Sequence, residues 1–114
     1  MAIISSEGRP LAEINPGSTE IALSRMAALK AIDALDNTNI AVLGGDIVVA
    51  EDERLRYADA TWHTNRRAEE EAMAFALRSR IAASDYVRGY PQRPGPQPLF
   101  VLVLDEAHGD RVNK

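Results

Sequence analysis

The side chains best suited to proton transfer or metal binding are the two histidines, His63 and His108. Neither stands at a ligand spacing from the other or inside a nucleophile motif, so each reads as a surface or partly packed histidine. Cysteine is absent, which removes a thiol nucleophile, a zinc ribbon and a disulfide framework together. Gly44-Gly45-Asp46 has some of the look of a phosphate loop. It lacks the long glycine spacing and the lysine of a P-loop, however, and the run Ile47-Val48-Val49-Ala50 that follows is strand-like where a helix is required. Two glycines inside an apolar strand pattern read instead as a bulge or bend. Asp46 would need a second positioned group to act as an acid or base, and spacing supplies none. The sequence therefore assigns no catalytic, cofactor-binding or metal-binding residue, and no cofactor is expected. A small hydrolase stays as an alternative that Asp46 beside His63 in a cleft would favour.

Recognition chemistry is better represented. The acidic runs Glu51-Asp52-Glu53 and Glu69-Glu70-Glu71 are either solvated turn and helix-start residues or a contact surface. Trp62, the one tryptophan, lies between Ala58-Asp59-Ala60-Thr61 and His63-Thr64-Asn65, where it is either a core plug under the second helix or an exposed anchor. Asp46, Glu51, Asp52, Glu53, Asp59, Trp62, Glu69, Glu70 and Glu71 form the candidate partner-binding set. Acids outnumber bases 17 to 13, for a formal net charge of −4, which disfavours non-specific nucleic-acid binding and suits a basic partner.

These residues need elements to hold them. With 114 residues, 46% hydrophobic and 26% charged, the chain is sized for one core. Folding should bury about two-thirds of the unfolded surface without staples. Ala28, Leu29, Ile32 and Leu35 recur at helical spacing, so a helix is expected over Arg25 to Asp36 with Ser24 as its N-cap. Ile40 to Leu43 reads as a buried strand broken at Gly44-Gly45-Asp46, resuming at Ile47 to Ala50 and returning through Leu55-Arg56-Tyr57. A second helix is expected from Arg67 to Arg88, burying Met73, Leu77, Ile81 and Ser84 on one stripe and Phe75, Ala82 and Tyr86 on a neighbouring one. Pro91, Pro94, Pro96 and Pro98 make an extended connector into Leu99 to Leu104, a strand apolar on both faces. Short strands at Ala2 to Ile4 or Leu11 to Ile14 and a polar tail from Asp105 complete the chain. The expected architecture is a single α+β domain over residues 1–114, in which a small, mostly antiparallel sheet packs on two main helices in the order α-β-β-β-α-β. That sheet should centre on Ile40–Leu43 and Leu99–Leu104. No apolar run approaches the roughly twenty residues of a membrane span, and a soluble, cytoplasmic protein is expected.

The order of segments Glu20-Ile21-Ala22-Leu23-Ser24, Ala28-Leu29-Lys30-Ala31-Ile32-Asp33-Ala34-Leu35, Ile40-Ala41-Val42-Leu43-Gly44-Gly45-Asp46-Ile47, Trp62, Tyr86-Val87 and Leu99-Phe100-Val101-Leu102-Val103 resembles the immunity protein 40 family of bacterial polymorphic toxin systems. The resemblance runs from about Leu11 to Leu104, and its most specific part is the strand ending in Gly44-Gly45-Asp46. It implies a non-enzymatic binder that neutralises a toxin domain encoded nearby. The shared residues look structural, so the resemblance transfers no binding residue. A regulatory or scaffold domain with an exposed apolar patch is the other open class.

Overall fold

The computed structural model describes residues 8–105 apart from positions 15, 17, 19, 53 and 93, and in it the first helix, α1 (Arg25–Asp33), begins where the sequence places it. Ser24 is extended and its Oγ accepts from the Ala27 amide at 3.2 Å, satisfying one of the first-turn donors. The helix stops at Asp33, before the expected Asp36. The next residues unwind through a turn in which Asn37 takes φ 65°, a left-handed conformation that asparagine tolerates.

The expected break at Gly44-Gly45-Asp46 is not a break. β3 (Val42–Glu51) runs through it as one strand and pairs antiparallel with β4 (Arg54–His63). The irregularity is taken up in register instead, between Val42 and Gly44 against the last strand and between Asp46 and Val48 against β4. Across from Ile47 lie Ala58, Asp59 and Ala60, a bulge on β4.

The second helix, α2 (Ala72–Gly89), starts later than the expected Arg67. Glu69, at φ 64°, turns the chain before it. Its buried face is Phe75, Ala76, Ser79, Arg80, Ala83 and Val87, while Met73, Leu77 and Ile81, expected inside, are exposed. Two apolar arcs lie on this helix, and the one bearing the small residues Ala76, Ser79 and Ala83 packs inward because small side chains let the helix approach its neighbours closely.

Among the described residues, β1 (Gly8–Pro10), β2 (Ile21–Leu23) and β5 (Pro98–Leu104) complete a five-stranded sheet of order β1-β2-β5-β3-β4, antiparallel at every pairing. β5 is the middle strand with β3 beside it, so the expected centre of the sheet is found. Leu11–Glu13, expected to be extended, forms a 3-10 turn. The strand expected at Ala2 to Ile4, His108 and the tail beyond Asp105 lie outside the described residues.

One face of the sheet carries Leu23, Val42, Ile47, Trp62, Phe100 and Leu102 against α1 and α2. The other buries Val48, Leu55, Val101 and Ala22 beneath Leu11 of the 3-10 turn. β5 thus contributes to both cores, which is why it is apolar at successive positions. The fold is α+β. Among the described residues no helix is long and apolar enough to cross a membrane.

Candidate functional site

Gly45 of β3 pairs with Trp62 of β4, and the indole lies toward α2, stacked on Tyr86 with ring centroids 4.5 Å apart and planes at 21°. A Cβ at Gly45 would collide with that indole and with the Val101 carbonyl oxygen; one at Gly44, where φ is 155°, would collide with the Trp62 carbonyl. The glycine pair therefore makes room for a side chain and a neighbouring backbone, not for a phosphate. Trp62 is 9% exposed and belongs to the helix-side core, so of its two possible roles it has that of the plug.

Strand alternation puts Asp46, Thr61 and His63 together on the opposite face. With Gly44 and Val103 they line a shallow groove of about 250 Å³. Thr61 donates from Oγ1 to the Gly45 carbonyl at 2.7 Å. Among the described residues neither Asp46 nor His63 makes a side-chain hydrogen bond, so no base and orienting group are coupled there. The charge of Asp46 is felt by Glu20, whose carboxyl is pushed above its ordinary range first by burial and second by that neighbour. No group of His, Asp and Glu that could hold a metal ion occurs among the described residues.

The acidic candidates fall into two separate sets. Glu51 and Asp52 stand exposed at the β3–β4 turn, where Glu51 accepts from Arg56 Nε at 2.9 Å and Asp52 takes φ 51°. Glu53 lies outside the described residues, and Asp59 sits in the β4 bulge. Glu69, Glu70 and Glu71 come after the far end of β4, a ten-residue strand that spans roughly 30 Å. They precede α2 and do not form its first turn. Glu70 is engaged internally: its Oε2 accepts from Arg78 Nε at 2.8 Å, and its Oε1 from Arg78 Nη2 at 2.7 Å and from the Arg67 amide at 2.9 Å. These bonds, Arg78 first, hold its carboxyl down to about 2. Glu69 and Glu71 remain exposed.

Sequence reasoning missed the groups that organise the helices. Arg80, 8% exposed, donates from Nη1 to the Thr38 and Ile40 carbonyls at 3.0 Å each. Arg25 donates to the Val87 carbonyl near the end of α2 and lies 5.5 Å from the Phe100 ring centroid. Polar residues on a buried stripe were the available signal. The exposed line Met73, Leu77 and Ile81 was visible as a surplus: α2 carries more apolar residues than one face can bury.

The family model of immunity protein 40 matches residues 10–104. The chain belongs to the immunity protein 40 family. No curated protein and no solved structure matches it. The match runs from the last residue of β1 to the last of β5, so it takes in both helices and the whole β3–β4 hairpin of this immunity protein. The exposed features of the fold are the β3–β4 turn with Glu51 and Asp52, the groove beside Asp46, the acidic residues Glu69 and Glu71 before α2 and the outer side of α2.

Proposed function

We propose that this immunity protein neutralises a toxin encoded beside its own gene by direct, non-covalent binding in the cytoplasm. The observation that carries the reading is the family match over residues 10–104. Charge supports it: the acid excess and the exposed carboxylates of Glu51, Asp52, Glu69 and Glu71 would steer a basic toxin, such as a nuclease, into encounter. Asp46, Glu53 and Asp59 belong to the same proposed rim. Glu70 acts indirectly by fixing the turn that presents Glu69 and Glu71, and Trp62 by supporting β4 from beneath.

Co-expression with the adjacent toxin tests the reading. Growth should be rescued, and the purified pair should form a complex at micromolar concentration. Absence of both rescue and complex would refute it. Reversing Glu51, Asp52 and Glu53 to lysine should lower the association rate and flatten its salt dependence, leaving the melting temperature unchanged.

The placement of Asp46 and His63 in one groove favours a second reading, a small hydrolase. Its test is His63→Ala. Under direct binding this variant protects as well as the wild type, whereas an enzymatic antidote loses protection while still binding.

A further inference from the structure

On the outer side of α2, Met73, Leu77 and Ile81 are 63%, 52% and 54% exposed. Each is one helical turn from the next, so they form a continuous stripe. Isolated surface apolar residues are ordinary, but a contiguous line of large ones marks a place of contact. Leu77 and Ile81 also enter a groove of about 350 Å³, whose opposite wall is Ile32 and Asp33 of α1 and Asp36 of the turn that follows it.

Charge selects the occupant. Two of the arginines of α2 are turned to internal partners: Arg80 to the Thr38 and Ile40 carbonyls, and Arg78 to Glu70 and the Asn65 carbonyl. Arg88 lies 3.8 Å from Asp85. The carboxylates of Asp33 and Asp36 make no ion pair or side-chain hydrogen bond among the described residues, and Glu69 and Glu71 are exposed just before α2. An apolar stripe with free acids along one side and at one end complements an amphipathic segment whose apolar face is flanked by lysine and arginine.

We infer that the outer face of α2, with its groove against α1, is the dock for a basic amphipathic helix of the toxin. The inference rests on the immunity reading and adds the place and chemistry of contact. A helix laid along the stripe meets Met73, Leu77 and Ile81 with its own side chains at i, i+4 and i+8 and sets its basic flank against Asp33 and Asp36. The stripe then supplies the desolvated centre of the interface, and the distant turn at Glu51 and Asp52 acts only on encounter.

The test measures binding kinetics between the full chain and the adjacent toxin domain, with growth rescue alongside. The variants are Leu77→Ser/Ile81→Ser, Asp33→Lys/Asp36→Lys and, for comparison, Glu51→Lys/Asp52→Lys. The serine pair should raise the dissociation rate at least about tenfold, as loss of central apolar contacts does. The Asp33→Lys/Asp36→Lys pair, which leaves apolar packing untouched, should weaken binding at least about fivefold, and the Glu51→Lys/Asp52→Lys pair should alter association alone. If the wild type binds and both stripe variants match it within about twofold, the proposed dock is wrong and the immunity reading stands. If the wild type neither binds nor rescues, both fall. If the wild type is a dimer that the serine pair dissociates without affecting toxin binding, the stripe serves a second copy of this chain and the inference is overturned.

Discussion

The amide of Val42, at the head of β3, donates to the hydroxyl of Ser79 on α2 across 2.9 Å, and both residues are fully buried. The same hydroxyl donates to the Ala76 carbonyl at 2.9 Å, so one side chain completes the hydrogen bonding of a strand and links it to a helix. Ser79→Ala leaves the Val42 amide without a partner inside the protein. A loss of about 1–3 kcal/mol is expected, read as a lower urea midpoint at unchanged slope. Ser84→Ala, at a less buried position of the same helix, should stay within about 0.5 kcal/mol.

Gly45→Ala forces a methyl against the Trp62 indole and the Val101 carbonyl, neither of which can retreat without moving the sheet centre. Overpacking of this kind costs about 1–3 kcal/mol. Thermal melts of Gly45→Ala and Gly44→Ala should both fall well below the wild type; two unchanged melts would mean that the hairpin yields where the geometry says it is closed.

Arg80→Met keeps much of the side-chain volume but removes the charged donor that holds the Thr38 and Ile40 carbonyls. Hydrogen bonds to charged groups contribute about 1.5–3 kcal/mol each in mutational series. The expected result is lower stability, with amide exchange accelerated first between residues 37 and 42. Uniform acceleration across α1 and β5 would show instead that Arg80 supports the whole fold.

Glu70 gives the fold a pH dependence of definite sign. Its carboxyl is ionised in the folded protein down to about 2 against an ordinary value of 4.5, so its stabilising contribution is complete above the ordinary value and is lost as pH falls through about 2. Glu20 acts oppositely, because its raised value makes protonation favour the folded form. Glu70→Gln should therefore flatten the decline in melting temperature between about pH 5 and pH 2. A carboxyl resonance of Glu70 titrating near 4.5 would contradict the Arg78 pairing.

How far the sequence could be read depended on whether a signal was local. The Ser24 cap is a contact between neighbours in the chain, and it is found in place with the helix it begins. The sheet centre at β5 follows from an apolar run that needs cover on both faces. The choice of buried stripe on α2 is not local: periodicity shows both apolar arcs, and only packing against α1 and the sheet turns Ala76, Ser79 and Ala83 inward and leaves Leu77 and Ile81 outside. β1 and β2 were missed because three-residue strands have too few positions to show alternation. The candidate surface was legible as residue types and not as a place, since Glu51 and Glu69 flank a strand whose length separates them.

Among the described residues β5 is the last strand in sequence and the middle one in the sheet. Until it is synthesised, β1–β2 and β3–β4 are two separate ladders, each with an inner edge waiting for the same partner. The native sheet closes only when β5 pairs over long sequence separations with β2 and β3, a step that is slow relative to local hairpin closure. A fragment ending before Pro98 leaves the inner edges of β2 and β3 open and takes Phe100, Val101 and Leu102 out of the two cores, which makes it a substrate for aggregation or proteolysis. Supplied in trans, a peptide spanning Pro98–Leu104 is the piece that would rejoin them.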